Sequence, residues 1–404
     1  MKYSWATFTA VLGTILCLGA AAAGAAPDEG TIDVYGTPVR VAIAADGTAY
    51  LGNYGQGGGI FVVPSGATTP SRTISTGGHV TTGLALGPDG TLYVATAEGD
   101  QSALGVIPAG AANVERTIPI SPGLHALAAG PDGTVYVANP AGNTVSVIAP
   151  NGTAVDRTIA VGAGPAEIAV TTKDGTAFVT NQTAGSVSVI PAGADAVSKT
   201  IELVSDTGTS EQPHGIAAGP DGTVYVANIA SNDIAVIKPG ADAVADRIYV
   251  EGGPQDVAVA RDGSVYVTSL LTQKLSVIRP HAKEAGGSIP TDAGPGHLAV
   301  APDGSVIVIS PGTSPGDGAV VRYSAAALVA ASQGSTPAAS GAPTAAAPAE
   351  TAPEAAAQPS GGSWNALPAV AGGVAAVVVG VAVWILVNGR RRKAGLAAGT
   401  SRAD

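Results

Sequence analysis

From Gly30 to Ala325 apolar residues alternate with small or polar ones in short runs, and each run stops at a cluster of Gly, Pro, Asn, Asp or Ser. A period of two broken this often argues for half-buried strands, and no segment sustains helical spacing over a dozen residues. The stretch from Gly123 to Val161 shows the unit. GLHALAAG reads as a strand, and PDGT as a tight turn, in which Pro presets φ, Asp bonds its own backbone and Gly supplies positive φ. TVYVAN is a second strand, with Val and Tyr suited to a pleated surface. PAGN turns the chain, TVSVIAP is a third strand, NGTAVD a loop and RTIAV a fourth.

The unit recurs. GPDGTVYVAN occupies Gly130–Asn139 and returns unchanged at Gly219–Asn228. Weaker copies place Asp-Gly turns at Asp46, Asp89, Asp132, Asp174, Asp221, Asp262 and Asp303, in steps of 43, 43, 42, 47, 41 and 41 residues. Seven units of four short antiparallel strands predict an all-β, seven-bladed propeller over 27–325. The last unit has three strands and ends in AVVRYS at Ala319–Ser324, whereas Thr31–Tyr35 precedes the first turn and resembles an orphan fourth strand. Pairing the two closes the ring and removes both exposed edges. The seven fourth strands then start near Thr31, Arg72, Arg116, Arg157, Lys199, Arg247 and Ser288.

The second strands YVAN (Tyr136, Tyr225), FVTN (Phe178) and YVTS (Tyr266), followed by SVSVI, IAVI or LSVI, resemble YVTN-type β-propeller repeats. Streptogramin lyases and NHL-type propellers are similar at lower resolution. The resemblance covers about Gly30–Ala325. It implies a ring often secreted or displayed on a prokaryotic surface, with no common activity. The Trp-Asp dipeptide of WD40 repeats is absent, and the three Trp (Trp5, Trp364, Trp384) lie outside the repeats.

The flanks have other compositions. Residues 1–26 carry one Lys, an apolar stretch and small residues up to Ala26, the pattern of a secretory signal peptide. The single Cys17 lies inside it behind bulky Leu16, which argues against a lipoprotein anchor and leaves the exported chain without disulfides or thiol chemistry. Residues 326–363, rich in Ala, Pro, Ser and Thr, read as a disordered, extended stalk, its Ser and Thr open to O-glycosylation. Ala366–Val387 is 22 residues without charge, with Trp364 and Trp384 near its ends. That length spans a hydrocarbon core of about 30 Å. Arg390-Arg391-Arg392-Lys393 follows, which places the 389–404 tail in the cytoplasm and the propeller outside. A sortase signal is the rival reading, but LPAVAG at Leu367–Gly372 lacks the threonine of that pattern.

Charge follows this division. The leader and tail hold six of the 19 Lys and Arg and one of the 30 acids, so the exported part carries 13 basic and 29 acidic residues, a net charge of −16. That opposes binding to nucleic acid or other polyanions and suits solubility or basic partners.

The turn aspartates stand one per repeat without a second carboxylate or D-x-D-x-D-G spacing, so they read as turn chemistry and not as calcium ligands. The aromatic four residues after each turn Asp reads as packing between blades, with Ile307 in its place in the seventh. The positions opening the first strands are different. They are Val39-Arg40, Thr82-Gly83, His125-Ala126, Ala166-Glu167, His214-Gly215, Gln255-Asp256 and Gly296-His297, and this pair changes in every blade. First strands line the channel of a propeller, so unlike polar residues on a symmetric scaffold mark a candidate site. Arg40, His125, Glu167, His214, Asp256 and His297 are the candidates for a small polar ligand at the channel mouth. The competing reading is a solvated rim, and metal binding is disfavoured because blades three, five and seven are not adjacent. The tripeptide Pro213-His214-Gly215 resembles the setting of a lyase histidine but is too short to assign catalysis. The loops after the second strands are small and polar, without the Trp, Tyr and Arg of tight protein interfaces. NYGQGGG at Asn53–Gly59 lacks the following helix of a phosphate cradle.

These readings predict a single-pass surface protein whose propeller recognises or scaffolds an extracellular protein or small polar ligand, with no cofactor, metal or catalysis. A lyase or hydrolase using the channel mouth, and a sensor acting through a membrane partner, are the alternatives.

Overall fold

The computed structural model describes residues 29–55, 57–98, 101–123, 125–203, 211–292, 294–311 and 318–333. Seven four-stranded antiparallel sheets form seven blades. Six are continuous in sequence, and the seventh pairs 298–300, 306–310 and 319–323 with the outermost strand 29–31. The leader, the 364–388 segment and the basic tail lie outside the described residues. Among those described, no helix is long and apolar enough to cross a membrane.

The core is not a single mass. Seven apolar clusters each join two successive blades, so each sheet packs face to face on the next. The repeated Ile of the fourth strands is the clearest member: Ile74, Ile118, Ile159, Ile201, Ile248 and Ile32 are buried. Burying each such side chain stabilises by about 2 kcal/mol. Tyr93, Tyr136, Phe178, Tyr225 and Tyr266 are buried in the same clusters, as inter-blade packing requires. Each turn aspartate accepts from the amide two residues on, as Asp132 does from Thr134 at 2.9 Å and Asp221 from Thr223 at 2.9 Å. Those carboxylates serve the turn.

Ring closure occurs as the repeat pattern predicts, but on different residues. The closing strand is Glu29–Thr31, with Gly30 opposite Arg322 and Thr31 opposite Val321, and not Thr31–Tyr35. Ile32 still donates to Val320 O at 2.8 Å, but the Asp33 amide turns to Thr68 O of blade one at 2.8 Å. The chain is thus drawn to the next blade before Tyr35, which is fully exposed.

The low-complexity composition read as stalk from 326 also begins too early. Ala325–Ser332 forms an α-helix, α1, capped by Ser324 Oγ, which accepts the Ala327 amide at 3.1 Å. Leu328 is buried in the cluster joining blades six and seven, beside Tyr323 and Leu275. Alanine has the highest helix propensity, so a segment too bland to read as structured folds once one leucine finds a core.

Strand direction fixes two faces. Second strands end, and first strands begin, at the mouth face, whereas the Asp-Gly turns and the starts of the fourth strands lie on the other face. Glu29 starts a fourth strand, and Ser332 lies against Gly286, just before another. The described chain therefore enters and leaves on the turn face.

Candidate functional site

The channel is lined by the first strands 38–43, 80–86, 127–129, 165–170, 213–218, 254–259 and 298–300. They crowd one another. A Cβ on Gly83 would lie 2.3 Å from His125 O, and one on Gly215 would lie 2.5 Å from Asp256 Cα. Glycine at these two positions lets neighbouring inner strands approach at the mouth. Two threonines, absent from the sequence-based candidates, fix the same layer. Thr180 Oγ1 donates to His214 O at 2.8 Å, and Thr268 Oγ1 donates to Gly296 O at 2.7 Å. Both occupy the variable third position of the YVTN-like strand, where Thr rather than Ala was the only signal.

Five of the six sequence candidates converge. Arg40 of blade one reaches across the channel to Glu167 of blade four, with Nη1 2.6 Å from Oε1. Its Nε donates to Thr82 O of blade two at 2.9 Å. Nη1 also lies 3.2 Å from Nδ1 of His297, which in turn lies 3.1 Å from Oδ2 of Asp256. Asp256 accepts from the amides of Val257 at 2.9 Å and Leu298 at 3.3 Å. His214 faces His297 with ring centroids 6.3 Å apart, and its Nδ1 lies 3.1 Å from Gln255 O. The Gln255 amide nitrogen lies 3.3 Å from His214 Nε2, a contact the sequence did not suggest.

His125 does not join them. It is fully buried, with Nδ1 2.7 Å from Ala138 O and Nε2 2.6 Å from Ser121 O. Gly123, at φ +138°, folds the chain so that the imidazole returns onto its own blade. His125 stands first in its opening pair, whereas Arg40, Glu167, Asp256 and His297 each stand second, and its imidazole braces a loop.

Burial sets the protonation of the cluster. It pushes the Asp256 carboxyl up to about 6, against the Val257 amide and His214, which pull it down. It pushes His297 down to about 3, with the Arg40 guanidinium adding to the effect. His214 is lowered by burial too, although the charge of Glu167 opposes this. Both imidazoles are therefore neutral at physiological pH. With Asp256 ionised, His297 Nδ1 holds the proton and donates to Oδ2. With Asp256 protonated, the carboxyl donates and Nδ1 accepts. Among the described residues no three His, Cys, Asp or Glu side chains are placed to hold a metal ion.

No family model matches the sequence, and no curated protein matches it. Solved structures do. Virginiamycin B lyase from Staphylococcus aureus aligns over 73% of this chain and 97% of its own, at 12% identity and a TM-score of 0.60. A streptogramin B lyase aligns over 73% and 97%, at 13% identity and a TM-score of 0.59. Kuenenia stuttgartiensis hydrazine synthase aligns over 72% and 97%, at 18% identity and a TM-score of 0.59. At such identities the likeness extends to the propeller fold alone.

Proposed function

We propose that this chain is a surface-displayed recognition or scaffolding module without catalysis of its own. Its propeller stands outside the cell on a stalk, held by a membrane span at 364–388 with the 389–404 tail inside. The observation that carries the recognition half is the bond between Arg40 and Glu167. Groups from non-adjacent blades meet across the channel, and Asp256 and His297 join them. Hydrogen bonding of this kind rigidifies a platform. Its part-exposed side chains are left to meet a small polar ligand at the mouth.

The anchor half is supported by the 22-residue uncharged stretch and the basic cluster after it. The strand directions agree with it, because a tether leaving the turn face presents the mouth loops away from the membrane. Protease treatment of intact cells tests this half. The propeller should be digested while a tag on the tail survives, with the protein retained in membranes after an alkaline wash. A propeller protected from outside, or shed into the medium, would refute it.

A lyase or hydrolase reading is favoured by one feature, two neutral imidazoles beside a carboxyl whose proton is lost near pH 6. Such groups suit general acid–base work, and two structural neighbours are lyases. Incubation with virginiamycin B distinguishes the readings. The scaffolding reading expects no consumption, whereas turnover abolished by His214→Ala would replace it.

A further inference from the structure

The joints between blades share a device on the turn face. The second residue before each fourth-strand Ile reaches the loop between third and fourth strands of the next blade. Arg72 Nη1 donates to Ala111 O at 2.8 Å, and Arg116 Nη2 to Gly152 O at 3.2 Å. Arg157 Nε donates to Ala194 O at 3.1 Å, and Lys199 Nζ to Gly240 O at 3.1 Å and Ala241 O at 3.2 Å. Four joints thus hold a cation on loop carbonyls, a charge-assisted bond. At the fifth the polarity is reversed: Asp246 stands at the position and Lys283 of the loop pairs with it at 3.0 Å. At the sixth the position is Gly287, and helix α1 packs over that edge, with Ser332 O 2.4 Å from a Cβ built on Gly286.

The seventh joint has neither. Gly30 holds the position, and nothing lies within 4 Å of a Cβ built on it. Its φ is not positive, so neither crowding nor conformation calls for glycine there. The space left is a cavity of about 390 Å³ lined by Gly30, Gly66, Ala67, Asp303, Ser305 and Arg322 among others. Gly66 and Ala67 correspond to Gly110 and Ala111 of the next blade, whose carbonyls accept from Arg72.

Arg322 breaks the repeat a second time. It is the register partner of Gly30, where the other blades place Val62, Val106, Val147, Val189, Val236 and Val277 opposite the same position. No described residue accepts a hydrogen bond from its guanidinium, and its Nε is buried without a partner. The Asp303 carboxylate is the charge beside it: its Oδ1 accepts from the hydroxyl and amide of Ser305 at 2.7 and 2.9 Å, and these bonds, helped by the Arg322 guanidinium, hold that carboxyl below its usual range. One end of the cavity therefore offers carbonyls that elsewhere hold a cation, and the other a guanidinium that hydrogen-bonds to no described residue.

We infer that the joint between blades seven and one binds a small zwitterion of the α-amino-acid class, its ammonium on the Gly66 and Ala67 carbonyls and its carboxylate on Arg322. The cavity leaves room for a side chain and lies within the usual range of ligand pockets. The site is on the turn face, away from the channel mouth, so it stands whether or not the mouth is a scaffold.

Calorimetric titration of the purified protein with a panel of L-amino acids tests it, with methylammonium and acetate as half-ligand controls. Two variants restore the consensus of the other blades, Gly30→Arg and Arg322→Val, and melting curves report that each folds. At least one amino acid should bind, with each half-ligand weaker by roughly tenfold or more. Each variant should lose at least as much affinity, and the double variant, which sets Val opposite the new cation as in the other blades, should also melt higher because the joint is clasped. Failure of every amino acid to bind, binding that survives Gly30→Arg, or a half-ligand that binds as well as the whole would each overturn the assignment.

Discussion

Replacing Arg40 by Met removes two hydrogen bonds at once: the 2.6 Å bond to Glu167 and the bond to Thr82 O. The Glu167 side chain is only 15% exposed, so its carboxylate would be left charged, poorly hydrated and unpaired. Breaking a fully buried pair costs about 3–5 kcal/mol, and the 21% exposure of Arg40 lowers the expectation to roughly 2–3 kcal/mol. In a ring of this size that is a fall in melting temperature of about 5 °C. Glu167→Leu should cost a similar amount, because it strands the guanidinium instead. The double variant removes both charges and should recover to within about 1 kcal/mol of the parent, since two apolar side chains replace two desolvated ions. Urea unfolding of the four proteins at pH 8, where Asp256 is ionised throughout, gives the coupling energy directly. Independent costs that simply add, or single variants each within about 0.5 kcal/mol of the parent, would show that the two groups do not bridge the channel in solution.

Three further outcomes are expected. The raised carboxyl of Asp256 means that native stability falls as pH rises from about 4 to about 6, whereas the depressed His297 means that it rises from about 3 to its unfolded value near 6.5. The two oppose in the parent, and the lowered His214 acts in the same sense as His297, so Asp256→Asn should steepen the gain between pH 3 and 6.5 and His297→Asn should make it shallower than in the parent. A flat profile in both variants would exclude the assigned protonation. Leu328→Ala should destabilise by about 2 kcal/mol in urea unfolding, because α1 is held by that one buried leucine. No change would mean that the helix is not docked. Gly215→Ala places a methyl 2.5 Å from the Asp256 backbone and should cost about 1–3 kcal/mol, read as a lowered melting temperature.

The ring was legible because its signals are local: a Pro-Asp-Gly turn and a Val-Tyr-Val strand need no partner to be recognised. The closing strand was legible in kind but displaced by two residues, because the competing bond from Asp33 to Thr68 O comes from another blade. Variation at the strand openings pointed to five residues that do meet. It could not separate His125 from them, since the distinction rests on the two carbonyls, Ala138 O and Ser121 O, that the folded chain brings to its imidazole. Thr180 and Thr268 were hidden by looking like ordinary strand residues. The empty joint at Gly30 was invisible until the pairing with Arg322 was known, although both substitutions break the repeat in plain sequence.

The strand at 29–31 has an implication for biogenesis. Its partner, 319–323, is made almost 300 residues later, so the first strand of the ring must wait unpaired while six blades emerge behind it. Contacts this far apart in sequence form late and slowly. A nascent ring is thus an open crescent with two adhesive ends until its final hairpin is made. Any condition that stalls synthesis before that hairpin should yield aggregates or swapped multimers rather than a shortened but soluble product.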